Sequence, residues 1–122
     1  IASPALVLAD TDQIQQVLLN LLENARQALE GREAACITVT VRPRRGGTPR
    51  VELIVADNGP GVDPALAEKI FEPFFSTRRG GTGLGLAIAR QLLAEQGGRI
   101  SVRSDGGAVF AITLPAAAPA AA

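Results

Sequence analysis

A chain of 122 residues has room for one hydrophobic core, so two domains are excluded. Twelve Lys and Arg balance twelve Asp and Glu, which leaves no general electrostatic affinity for nucleic acid or for an anionic membrane. Histidine is absent, which removes Ser/His/Asp and Cys/His catalysis, imidazole acid–base chemistry and the usual zinc sites. No apolar run approaches the roughly 18 residues a bilayer span requires, and the opening IASPALVLAD lacks the basic start of a signal peptide. The single cysteine, Cys36, has no partner for an internal disulfide or a thiolate metal site; it lies in a strand-like run and is expected to be a small core residue.

In chain order, the apolar run Ala5 to Ala9 reads as a short strand, followed by Asp10, Thr11 and Asp12, each able to cap a helix. The helix that starts there carries Ile14, Val17, Leu18, Leu21, Leu22, Ala25, Ala28 and Leu29 at the recurrence of one buried stripe, with Gly31 placed to end it. CITVTV (Cys36 to Val41) and VELIVA (Val51 to Ala56) are β-branched runs joined by turn-rich RPRRGGTPR, the pattern of an antiparallel hairpin. Asp63 before Pro64 predicts a short helix through Ile70; EPFFSTRRGGTG has no periodicity. A second long helix runs from Leu84 through LGLAIARQLLAEQ to Gly97 and Gly98, and the strands RISVRS and AVFAITL follow, split by DGG. The order implies an α+β two-layer sandwich: a mixed, mostly antiparallel sheet with about three helices on one face. PAAAPAAA at the end is expected to be a disordered tail, leaving residues 1–115 as the domain. A start at Ile1 that leads almost directly into a strand reads as a domain excised from a longer chain.

Three places could carry chemistry. Asn20, Asn24 and Gln27 share one polar face of the first helix. Asparagine is a mediocre helix former, so a pair one turn apart is either a solvated face or a set of amide oxygens aimed at a hard cation such as Mg²⁺. In DNGPGV, Asp57 ends a strand ahead of Gly59 and Gly61. These residues suit a tight turn, and they equally suit close approach of a ligand whose exocyclic amino group the carboxylate would accept. GGTGLGL (Gly80 to Leu86) puts four glycines before and within the first turn of a helix, which costs about 1 kcal/mol each relative to Ala inside a helix. A phosphate cradle of helix N-terminal amides accounts for them better than an accidental loop, with Ser76, Thr77 and Arg78 as further donors; Arg79 is as easily solvated. There is no GxxxxGK[ST], no strand-to-helix GxGxxG and no protein-kinase signature.

Taken together the segments resemble the ATP-binding domain of sensor histidine kinases, the Bergerat fold shared with gyrase, the Hsp90 chaperones and MutL. QVLLNLLENARQAL is similar to the N box, DNGPGV to the first glycine box, FEPFFST to the phenylalanine box and GTGLGLAIARQLLAEQGGRI to the second glycine box, over about residues 5 to 115. The resemblance implies Asn24 as the Mg²⁺ ligand, Asp57 as acceptor of the adenine amino group, and Gly59, Gly61 and Val62 around the adenine. Asn20, Ser76, Thr77, Arg78, Gly81, Thr82, Gly83, Leu84, Gly85 and Leu86 would lie about the phosphates, and residues from about Asp63 to Thr82 would form a mobile lid. Asn20, Asn24 and Arg78 would be the catalytic set. Hydrolases of the superfamily carry a glutamate where this chain has Asn20, and an amide cannot take a proton from water at neutral pH. This favours phosphoryl transfer to a protein.

Two residues depart from the family pattern, Gln27 and Gln96. Gln27 replaces a common basic residue, leaving Arg78 or Arg26 to supply that charge; Glu23, beside Asn24, reads as solvated; and Gln96 replaces a frequent histidine. The short final hairpin resembles the nitrogen-regulation, oxygen-sensing and dicarboxylate-sensing branches. The implied function is the catalytic domain of a histidine kinase that binds ATP and Mg²⁺ and phosphorylates a histidine on a partner dimerisation domain, with a response regulator downstream. It would be cytoplasmic, monomeric when isolated, and without nucleic-acid or direct membrane contacts. Phe71, Phe74 and Phe75 are either core, a docking surface for the partner helices or a lid anchor. The alternatives are an ATP-binding regulatory module without transfer and an anti-sigma-factor-type serine kinase.

Overall fold

The computed structural model describes residues 10–44, 47, 49–75 and 83–116. Helix α1, Thr11–Ala28, begins where the Asp10 carboxylate accepts the Gln13 amide, as the run of capping residues implies. It ends at Leu29, two residues before the expected Gly31. Strands β1 (Ile37–Arg44) and β2 (Arg50–Asp57) form the expected hairpin, with Val39 opposite Val55. Helix α2, Gly85–Glu95, is followed by β3 (Arg99–Ser104) and β4 (Ala108–Pro115). The sheet runs β1-β2-β4-β3, and every described pairing is antiparallel. The α+β sandwich is therefore present. The expected first strand, Ala5 to Ala9, and the tail beyond Ala116 lie outside the described residues.

Two details differ from the sequence reading. The short helix expected from Asp63 to Ile70 is a pair of separate 3₁₀ turns, Pro64–Leu66 and Lys69–Phe71. Asp63 does cap the first through the Ala65 amide, but the span is too short to pay for α-helix nucleation without a packed face, and Pro64–Leu66 buries nothing. Cys36 is exposed rather than buried. It precedes β1, whose residues are all exposed because no described helix covers that strand.

The core forms where α1 and α2 cross the same side of the sheet. Val17 and Leu21 of α1 and Ala89 and Leu93 of α2 pack with Val55, Phe110, Ile112 and Leu114. The period of 3.6 on the helices and of 2 on the strands selects these residues. Phe71 joins them edge-on to Phe110, with ring centroids 6.3 Å apart, so it is the phenylalanine that the core reading fits. Phe74 is 77% exposed. The helix ends are tied as well: Gln96 accepts from the Asp10 amide at 2.9 Å and donates to Gln13, joining the end of α2 to the start of α1.

Alternation puts Glu52 on the helix-free face of β2, yet only 4% of it is exposed. Arg42 Nε donates to its Oε1 at 2.7 Å and Arg44 Nη1 to its Oε2 at 2.8 Å. Burial alone would raise this carboxyl; the hydrogen bonds from Arg44 and Arg42 and their charges outweigh it and hold the group below its ordinary 4.5. An acid weaker in the unfolded chain stabilises the fold above about pH 4.5, and that contribution disappears as pH falls through the lower folded value. Glu52→Gln is expected to lose on the order of 1 kcal/mol at pH 7. Urea denaturation at successive pH values should show the variant and the parent converging towards pH 3; a constant gap would sink the assignment.

Candidate nucleotide site

The first glycine box is assembled around one carboxylate oxygen. Asp57, at the end of β2 on the helix-side face, is 7% exposed. Its Oδ1 accepts the Gly59 amide at 2.8 Å and the Ala108 amide at 3.2 Å. Both described bonds go to Oδ1, which leaves Oδ2 for a further donor. Gly59 sits against the end of α1: a Cβ there would lie 3.3 Å from the Ala28 carbonyl oxygen. Gly61 and Val62 are held from β3, where the Ser104 hydroxyl accepts the Val62 amide at 2.9 Å and donates to the Val62 carbonyl at 2.7 Å.

The second glycine box meets α1 from the other side. Asn20 Nδ2 donates to the Gly85 carbonyl at 3.0 Å, and its Oδ1 accepts from Gln16 at 2.7 Å. Asn20 therefore clamps the first residue of α2 to α1. Leu84, the residue before that helix, has no side-chain oxygen with which to cap it, so the first-turn amides of Gly85 and Leu86 keep the anion-binding character of a helix N-terminus. Gly83 is packed against the phenylalanine box: its carbonyl accepts the Phe74 amide at 2.9 Å, and a Cβ would lie 2.7 Å from the Phe75 carbonyl oxygen.

Asn24 falls on the same face of α1, one turn after Asn20 and one turn before Ala28, half-buried between the two boxes. Ser76, Thr77, Arg78, Gly81 and Thr82 lie outside the described residues, as does the last part of the expected lid, residues 76–82. Among the described residues no cluster of three Cys, Asp or Glu could hold a metal ion. The oxygen-bearing side chain on this face between the boxes is the Asn24 amide, near the first-turn amides of α2. It fits Mg²⁺, which takes one or two protein oxygens and completes its shell with phosphate and water.

The residues around Asn24 divide as follows. Glu23 is solvated as expected, but it is paired with Arg26 at 2.6 Å, with 52% and 62% of the two side chains exposed. The Arg26 hydrogen bond holds Glu23 below the usual carboxylate range, and Gln27 also donates to it. Arg26 is thus engaged on the surface. Besides Ser104 and Ala108, three more contributors to the site were not anticipated. Asn58 binds the Ala34 carbonyl and the Cys36 amide, and Arg32 reaches the Asn58 carbonyl at 2.6 Å, so the loop before β1 braces the box. Gly107, read in the sequence only as a turn residue, presses its backbone onto that of Asp57.

The fold and the site define a nucleotide-binding ATPase-type domain. Residues 9–118 match the family of histidine kinase-, DNA gyrase B- and HSP90-like ATPases, and the chain belongs to it. It is 48% identical over 109 residues to the sensor histidine kinase ZraS of Salmonella typhi, covering 88% of this chain and 23% of that protein. It is 44% identical over 119 residues to the sensory histidine kinase/phosphatase NtrB of Rhodobacter capsulatus, covering 90% of this chain and 34% of that one. The chain thus spans between about a quarter and a third of these relatives. Among solved structures it resembles the catalytic domain of histidine kinase ThkA, with a TM-score of 0.77, 40% identity and coverage of 89% and 70%. Full-length ShkA in complex with AMPPNP gives a TM-score of 0.81 at 40% identity, over 97% of this chain and 24% of that one.

Gly107 has φ +143, and a Cβ there would overlap the Asp57 carbonyl oxygen and come within 2.9 Å of the Asn58 Cα. Gly107→Ala is expected to cost about 2–4 kcal/mol in urea unfolding. Gly106→Ala, where no atom lies within 4 Å, should cost about 1 kcal/mol. Equal costs would remove the Gly107–Asp57 contact as a constraint on the box.

Proposed function

We propose that this chain binds ATP with Mg²⁺ and delivers the γ-phosphoryl group to a histidine on a separate helical dimerisation domain, from which it passes to a response regulator. The observation that carries the reading is the path of α1, which touches the second glycine box at Asn20 and the first at Ala28, with Asn24 between them. Asp57 Oδ2 takes the adenine amino group, Gly59, Gly61 and Val62 surround the ring, and the amides of Gly83 to Leu86 hold phosphate oxygens. Asn24 supplies its amide oxygen to Mg²⁺, whose charge, when bound, offsets that of the phosphates. Ser76, Thr77, Arg78, Gly81 and Thr82 keep the phosphate roles that the sequence assigns them.

Two features support transfer over hydrolysis. Asn20 is an amide held at both ends, by Gln16 and Gly85, and cannot activate a water. Glu23, the carboxylate next along the helix, is bound to Arg26 and made a weaker base by it. The chemistry then reduces to positioning the γ-phosphoryl and neutralising its charge, with the accepting imidazole coming from elsewhere. The domain acts on the cytoplasmic side, where ATP is supplied; no described helix is long and apolar enough to cross a membrane.

Mixing the 122-residue chain with labelled ATP and a separately produced histidine-bearing dimerisation domain tests this directly. Acid-labile label on the partner and none on the chain itself is expected. Acid-stable label on serine would make it a serine kinase, and ATP binding without label a regulatory module.

At the adenine end, Asp57→Asn is expected to weaken ATP binding at least about 100-fold, because the carboxylate is lost where a donor must be accepted. Asn24→Ala should mainly raise the Mg²⁺ concentration needed. Calorimetry that finds undiminished ATP affinity in the Asp57 variant would falsify the adenine assignment.

A further inference from the structure

The helix-free face of the sheet carries a concentration of charge unrelated to the nucleotide site. In the antiparallel register Arg42, Glu52, Thr113 and Arg99 form one cross-strand row, and Arg44 and Arg50 the next. All project away from α1 and α2, since the core takes the alternate residues Val51, Val55, Ile112 and Leu114. Glu52 is the one carboxylate in these two rows and is already shared by Arg42 and Arg44. Among the described residues Arg50 and Arg99 make no ion pair. A chain of zero net charge therefore presents four guanidiniums against one buried carboxylate on a single flat patch. The patch spans three inter-strand spacings, about 14 Å, and its rows are about 7 Å apart; along β2 they lie about 17 Å and about 23 Å from Asp57.

We propose that this patch is a docking surface for an acidic polypeptide segment. The chemistry is that of the guanidinium fork, which matches carboxylates in a planar, bidentate way and is weakly hydrated. Glu52 orients Arg42 through Nε and Nη2, and Arg44 through Nη1, so part of the ordering cost is met before a partner arrives. An extended peptide carries same-side carboxylates about 7 Å apart, comparable with the row spacing. A lipid surface is disfavoured because, among the described residues, the large exposed apolar side chains, Leu19, Ile37, Val39, Val41, Phe74 and Ile88, all lie off this face. A nucleic acid is disfavoured because the face offers no aromatic ring for base stacking. Docking here leaves the nucleotide site open on the other side of the sheet and is independent of the function proposed above.

The test is fluorescence anisotropy of a labelled ten-residue peptide of alternating Glu and Ser with the whole 122-residue chain. Phosphatidylglycerol vesicles and a single-stranded oligonucleotide serve as competing probes. Binding of the peptide is expected at low salt, weakening as ionic strength rises. Arg50→Gln with Arg99→Gln, which leaves the Glu52 pairs intact, should weaken it about tenfold. Thr113→Glu, a carboxylate placed in the middle of the patch, should do the same, whereas Ala94→Glu on exposed α2 should not. No peptide binding, equal loss in the Ala94 variant, undiminished binding in the arginine variant, or preference for vesicles or oligonucleotide overturns the proposal.

Discussion

One carboxylate oxygen organises the nucleotide end of this domain. Asp57 Oδ1 accepts amides from Gly59, two residues on, and from Ala108, at the start of β4. The first bond closes the glycine box into a turn; the second fastens it to a strand that enters the sheet fifty-one residues later. A charged acceptor with 7% exposure is tolerable only when such donors surround it, and here they also aim the carboxylate. Moving either amide would shift the Asp57 carboxylate relative to the glycine box.

Helix α1 then sets the distance between the ends of the site. Its rise of about 1.5 Å per residue puts Asn20, Asn24 and Ala28 at successive turns about 6 Å apart. The first touches the second glycine box and the last touches the first glycine box, so the spacing of the boxes is a property of one rigid rod. The buried stripe directly beside it, Val17, Leu21 and Ala25, keeps that rod against the sheet. Function and stability thus occupy two faces of the same eighteen residues.

The sheet is divided in the same manner. Its helix side is apolar along β2 and β4 as far as Asp57, while its other side sets the charges around Glu52 beside Ile54 and Val109. Edge strand β1 shows what happens without a covering layer: Val39 is 50% exposed even though it pairs directly with Val55, which is 1% exposed. On the helix side, burial follows from the helix above a strand, not from the strand's own composition.

That asymmetry explains how much could be read from the sequence. Order and type of the long elements were legible, because periods of 3.6 and 2 are properties of neighbouring residues, and so was the class of site, because Asn24, Asp57 and the glycines fall in contiguous boxes. The sequence alone also determined that no imidazole acts within this chain. Only the tertiary structure decided which apolar residues are buried, so Cys36 and Phe74 lie in the open while Phe71 enters the core. It also decided the distant partners of Asp57, Glu52, Val62 and Gln96, which lie 8 to 86 positions away. Hydrogen bonds and charge pairs act over a few ångströms of space, and separation along the chain carries no information about them until the strands have paired and the helices have packed.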